Sequence, residues 1–237
     1  MIQRLSNKTI VFVLMLAGIL SIGNADEKPR SISYWLWAGI TAYDAPANSE
    51  LFVYQGSVYT NDRGTSYNRL GLYPHPLKCT KLFLVYRLES QLPEADYIVD
   101  LFLGNVAWWQ RHPVSVSGIQ LDFDAPTSKL AAYSDFLSEV RKLLPKDYAL
   151  SITGLGDWVF GGHKDALLSI SSSVDEIVFQ LYQGRRPLPD FDDYALKLKE
   201  YPRPFKIGLL YGTPASVRAL EANPNFRGLI YFIQKDK

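Results

Sequence analysis

Residues 118–145 read GIQLDFDAPTSKLAAYSDFLSEVRKLLP, and two periodicities meet inside them. From Gly118 to Asp124 apolar and polar residues alternate. A strand built from this run puts Ile119, Leu121 and Phe123 on one face and Gln120, Asp122 and Asp124 on the other. From Lys129 to Leu144 the spacing changes: Leu130, Tyr133, Phe136, Leu137, Val140, Leu143 and Leu144 recur as one stripe of an amphipathic helix. Ser128 is placed to cap its start and Pro145 to stop it. A strand followed at once by a helix is the unit from which parallel sheets covered by helices are built.

Working outward, seven further short runs carry strand composition, at 33–39, 51–56, 81–89, 148–155, 176–184, 205–212 and 227–234. Their faces are largely apolar on both sides, which favours strands buried between layers. Helical patterns alternate with them from the third run onward: 94–110, 129–144, 165–171, 191–201 and 213–222, the last with Thr213 and Pro214 as a start signal. Eight strands predict a small α/β fold, a closed (β/α)8 TIM-like barrel. Residues 41–50 are too few for an ordinary helix and 57–80 lack helical period, so the first two helices are expected to be missing or degenerate. An open doubly wound sheet is the alternative, although no glycine-rich phosphate loop follows the first strand.

The chain start reads as a secretory signal. Arg4 and Lys8 precede an apolar stretch from Ile10 to Ile22, shorter than the roughly 18 residues of a membrane span, and Gly23, Asn24 and Ala25 follow. Cleavage after Ala25 would leave residues 26–237 as one domain, secreted or periplasmic, without a stable membrane anchor. Cys79 is the only cysteine, so no intrachain disulfide can form. With 25 Lys and Arg against 24 Asp and Glu, and the basic residues scattered, nothing marks a nucleic-acid footprint. The three histidines, His75, His112 and His163, are isolated, and no metal or cofactor is expected.

The chemistry is expected at the C-terminal strand ends, where barrels of this class carry their sites. Asp122 and Asp124 sit there, roughly 6.5 to 7 Å apart along the strand, close enough for each to sense the other's charge. Such a pair suits general acid work, with Asp124 as acid and Asp122 as its electrostatic partner. Structural readings stand beside this one: Asp124 organising the turn before Ala125 and Pro126, Asp122 pairing with Arg87, or the two holding a cation. Arg87 and Glu89 share a face of the neighbouring strand. Glu89 is the best second carboxylate, and Arg87 binds either substrate oxygen or Asp124, in which case it favours the ionised acid. Trp37 is the expected stacking platform, Asp157 and Trp158 are further expected ligand contacts, and Tyr59, Tyr67, Tyr73 and His75 form an expected subsite wall. Trp108 and Trp109, late in a helix, read as core. No Gly-x-Ser-x-Gly nucleophile elbow is present.

GIQLDFD also resembles the fourth-strand signature of family-eighteen chitinase-like glycosidases, with Gln120 at the first acidic position, Asp122 at the middle one and Asp124 at the catalytic one. QLYQ, Gln180 to Gln183, is similar to their sixth-strand motif. That resemblance implies Tyr182 and Gln180 as donors to the sugar and Gln183 as a further contact. A longer resemblance, over Tyr34 to Gln234, is to the uncharacterised bacterial family named domain of unknown function 3142, through VYRLE, the 118–145 stretch and ALSITGLGDW. It implies a glycosidase-like barrel without a substrate. The expected partner is a polysaccharide or peptidoglycan-like glycan, cut by a hydrolase or held by an inactive barrel; an envelope or biofilm scaffold is a third reading.

Overall fold

The computed structural model describes residues 31–40, 44–160, 164–213 and 217–233. The expected leader, His163 and Pro214 lie outside them.

In chain order the elements are β1 (Ser31–Leu36), β2 (Ser49–Asn61), β3 (Gly64–Arg69), β4 (Cys79–Ser90), α1 (Ala95–Trp109), β5 (Val116–Asp122), α2 (Leu130–Leu143), β6 (Ala149–Leu155), α3 (Lys164–Ser173), β7 (Glu176–Gln180), the short pair β8 (Tyr182–Gln183) and β9 (Arg186–Pro187), α4 (Phe191–Leu198), β10 (Phe205–Leu210) and β11 (Phe226–Ile233). The large sheet runs β1-β11-β10-β7-β6-β5-β4-β2 and closes by pairing β1 with β2. All eight of these strands run parallel to their neighbours. This is the expected closed barrel. No α-helix joins β1 to β2 or β2 to β4 among the described residues.

The alternation read in 118–124 sorts side chains as expected. Ile119, Leu121 and Phe123 join the large apolar layer between barrel and helices, with Ile98, Phe102, Tyr133 and Leu137 facing them from α1 and α2. A smaller apolar cluster fills the barrel interior: Trp35, Phe52, Phe83, Val85, Val178 and Ile230. Phe52 and Phe83 stack with centroids 4.5 Å apart.

Below this cluster, at the N-terminal ends of the strands, the interior turns polar. Lys206 of β10 pairs with Glu50 of β2 and lies 3.5 Å from Glu176 of β7. Lys81 and Ser33 also donate to Glu50. Burial acts to raise the Glu50 pKa, but the Lys206 charge and hydrogen bond, then Ser33 and Lys81, bring it below the usual carboxylate value. Glu176 goes the other way, raised by burial despite Lys206.

Three expectations need correction. Ser128 does not cap α2: it lies within a 3-10 turn, Thr127–Lys129, that leads into the helix. In place of a helix over 213–222, the described residues hold one 3-10 turn, Arg218–Leu220. The 57–80 segment contains an antiparallel hairpin: β2 continues past the end of β1 and pairs there with β3. Asn61 Oδ1 accepts the Arg63 amide in its turn, and Gly56, whose Cβ would lie 2.2 Å from Asn68 O, lets the two backbones meet.

Candidate active site

A cavity of about 520 Å³ opens at the C-terminal ends of the barrel strands. β4 supplies Arg87 and Glu89, β5 and its exit Asp122 and Asp124, β6 Thr153 and Leu155, and β7 with the following turn Gln180, Tyr182, Gln183 and Gly184. Trp35, Trp37, Tyr54, Ser57 and Phe232 complete the wall. Each reaches the cavity because inward side chains recur every second residue, so strand ends deliver them to one rim.

Arg87 organises the carboxylates. Its Nη1 donates to Asp122 Oδ2 at 3.0 Å and its Nη2 to Asp124 Oδ2 at 2.5 Å, and its Nε lies 3.6 Å from Glu89 Oε1. Asp122 is only 2% exposed. Thr153 Oγ1 donates to its Oδ1 at 2.8 Å, and Gln180 Nε2 reaches the same oxygen at 3.5 Å. Burial raises the Asp122 pKa; Arg87 opposes the rise, Asp124 adds to it, and the Arg87 and Thr153 hydrogen bonds oppose it again. Asp124 is the accessible partner, its side chain 44% exposed. Tyr182 has its pKa pushed far above the phenol range, by burial first and then by Asp122 and Asp124. Its hydroxyl therefore remains a proton-bearing donor at ordinary pH.

Gln120 is brought near but not into the cavity. It is fully buried, accepts Trp35 Nε1–H at 2.6 Å and donates to Ser151 Oγ at 3.0 Å. Substrate contact by Gln120 is thus corrected to support of the cavity floor. Trp37 does face the cavity, but Tyr54 already covers one side of its indole, with rings 4.3 Å apart and 10° from parallel. Tyr182 and Phe232 form a second stack at 5.8 Å.

Asp157 and Trp158 do not join this group. They border a neighbouring cavity of about 710 Å³, which shares Leu155 with the first. Trp158 is 1% exposed, with its N–H held by Ala125 O, so its expected sugar contact is replaced by packing against Tyr133. Nor do Tyr59, Tyr67, Tyr73 and His75 wall the site: Tyr73 and His75 lie against Trp108 and Trp109 of α1, and Tyr67 against Tyr86. Trp109 is core, as expected, while Trp108 is half-buried with Arg69 4.1 Å above its ring. Tyr54, Ser57, Thr153 and Phe232 were missed. Thr153 alone had a legible signal, its two-residue step from Ser151 along β6.

Among the described residues, no group of three or more His, Cys, Asp or Glu side chains is arranged to hold a metal ion.

The model of the family described as "Domain of unknown function (DUF3142)" matches residues 79–199, from the start of β4 to just past α4. Similar solved structures include an endo-beta-N-acetylglucosaminidase from Cordyceps militaris in apo form, at TM-score 0.48 and 9% identity over 86% of this chain and 81% of that one. The chitinase domain of the spore coat protein CotE from Clostridium difficile follows at 0.47 and 12%, over 83% and 68%. The spore cortex-lytic enzyme SleL from Bacillus cereus stands at 0.46 and 17%, over 82% and 57%. No curated protein matches the sequence.

Proposed function

The chain belongs to the DUF3142 family, and from that premise we propose that it acts on a glycan at the barrel mouth, as an exported glycoside-hydrolase-like protein carrying its acid on Asp124. One observation carries the reading: a buried and an exposed carboxylate, Asp122 and Asp124, face one aromatic-walled cavity at the catalytic end of a barrel. Stacked aromatic rings beside carboxylates suit a sugar, whose faces are apolar and whose rim is hydroxylated.

In this reading Asp124 delivers a proton to the glycosidic oxygen as the bond to the anomeric carbon breaks. Tyr182 and Gln180 donate hydrogen bonds to the sugar or to the oxygen that attacks the anomeric carbon. Where the sugar carries an N-acetyl group, its carbonyl oxygen supplies that attack, and water then opens the cyclic intermediate. Where it does not, Glu89 is the second carboxylate, already in the cavity. The leader expected at residues 1–25 fits an extracytoplasmic polymer as substrate.

The Arg87–Asp124 ion pair favours a second reading, a barrel that holds sugar without cutting it. A carboxylate engaged by a guanidinium is held as a hydrogen-bond acceptor, a role that suits gripping a sugar hydroxyl. Reducing-end release from chitin, peptidoglycan and bacterial exopolysaccharides, with Asp124→Asn in parallel, separates the two. Hydrolysis predicts release that falls by at least about 100-fold in the variant. No release from either protein, with equal glycan binding by both, makes the chain a binding barrel. Neither release nor binding overturns both.

A further inference from the structure

The two adjoining cavities at the barrel mouth have a charge pattern unlike the rest of the chain. Among the described residues, Glu89, Asp122 and Asp124 line the first, and Asp157, Asp190 and Asp193 the second, against the single cation Arg87. The whole sequence is balanced, 24 acidic residues to 25 basic ones. So is the cavity at the opposite end of the barrel, where Glu50, Asp175 and Glu176 meet Lys81, Lys206 and Arg227. The excess of negative charge is therefore a property of the mouth and not of the composition.

The carboxylates of the second cavity are not explained by internal pairing. Asp190 precedes α4 in a left-handed conformation, φ 61°, and its side chain makes no capping hydrogen bond. Asp157 accepts one long hydrogen bond, 3.3 Å, from Tyr194. Arg185 and Arg186, in the nearby hairpin, line neither cavity, and Lys197 lies over the ring of Phe160, a residue of the second cavity, without lining it.

We propose that this groove takes a cationic amino-sugar chain, in which free amines outnumber acetamides on the units beyond the Asp124 cavity. The inference rests on the glycan reading and narrows its substrate class. A neutral polysaccharide gains hydroxyl hydrogen bonds from these carboxylates but no attraction from their excess of negative charge, and an acidic one is repelled by it. An ammonium group on the sugar ring meets carboxylates there. It also meets the aromatic rings of Trp37, Phe232 and Tyr194, which attract cations as well as sugar rings.

Calorimetric titration of the full chain at about pH 6, where sugar amines are protonated and carboxylates ionised, tests this with three probes: a glucosamine pentamer, an N-acetylglucosamine pentamer and pentalysine. The expected result is glucosamine-pentamer binding about tenfold tighter than either of the others, narrowing as salt rises from about 50 to 300 mM. Asp157→Asn combined with Asp193→Asn should remove most of that preference, weakening glucosamine-pentamer binding more than N-acetylglucosamine-pentamer binding. Equal or tighter binding of the N-acetylated pentamer overturns the inference and leaves the glycan reading intact. Pentalysine binding as tightly as the glucosamine pentamer also overturns it, showing an acidic surface indifferent to sugar. Binding of neither sugar overturns this inference, and the release assay on the wider set of polymers then decides the glycan reading.

Discussion

Gln120 shows what a single buried side chain settles. Trp35 needs an acceptor for its indole N–H. Ser151, whose hydroxyl donates to Glu176 at 3.3 Å, needs a donor for its oxygen. The Gln120 amide offers both from one side chain without a charge. A carboxylate there would satisfy Trp35 but set a negative oxygen against Ser151. Gln120→Glu should therefore cost about 2 kcal/mol in urea unfolding, most of it regained at acid pH where the new group is protonated. Equal stability at neutral pH would refute the account. In the sequence, Gln120 was legible only as one of three residues on a polar face. Its partners lie 85 and 31 residues away, and no local period reports on them. Asp122 and Asp124, by contrast, were legible because alternation and strand end are both local features.

At the scale of elements, all eight barrel strands were readable, since strands buried on both faces are apolar nearly throughout. β3 was not: GTSYNR is polar, edge-placed and short, and only its pairing with β2 makes it a strand. The helix expected over 213–222 failed for a related reason, because capping residues mark where a helix can start but not whether packing sustains it. Gly208 of β10 was equally silent. A Cβ there would lie 2.7 Å from the Trp35 ring, so the glycine seats the indole that floors the cavity. Gly208→Ala should cost about 1 to 3 kcal/mol and weaken glycan binding more than a comparable change on the helix layer. A variant with unchanged urea midpoint and affinity would show that Trp35 can shift freely.

Across the whole molecule, the barrel carries opposite polar ends around an apolar middle. The lower one, where Lys206 joins β2, β7 and β10, is structural by its balance of charge. Glu50→Gln should lower the melting temperature by about 6 °C at neutral pH, from roughly 2 kcal/mol lost at a buried ion pair. Because the folded pKa of Glu50 is depressed, its contribution is present above the unfolded carboxylate value and disappears as pH falls through the folded one. Thermal melts of both proteins should thus converge on the acid side; a gap constant with pH would sink the assignment. The seam between β1 and β11 has a mechanical consequence. β1 and β11 are the first and last described strands, parallel and paired over six positions, from Ser31 opposite Gly228 to Leu36 opposite Ile233. Tension applied between Ser31 and Ile233 would pull these neighbours past one another along their length, so the rungs between them bear the load together rather than opening one at a time.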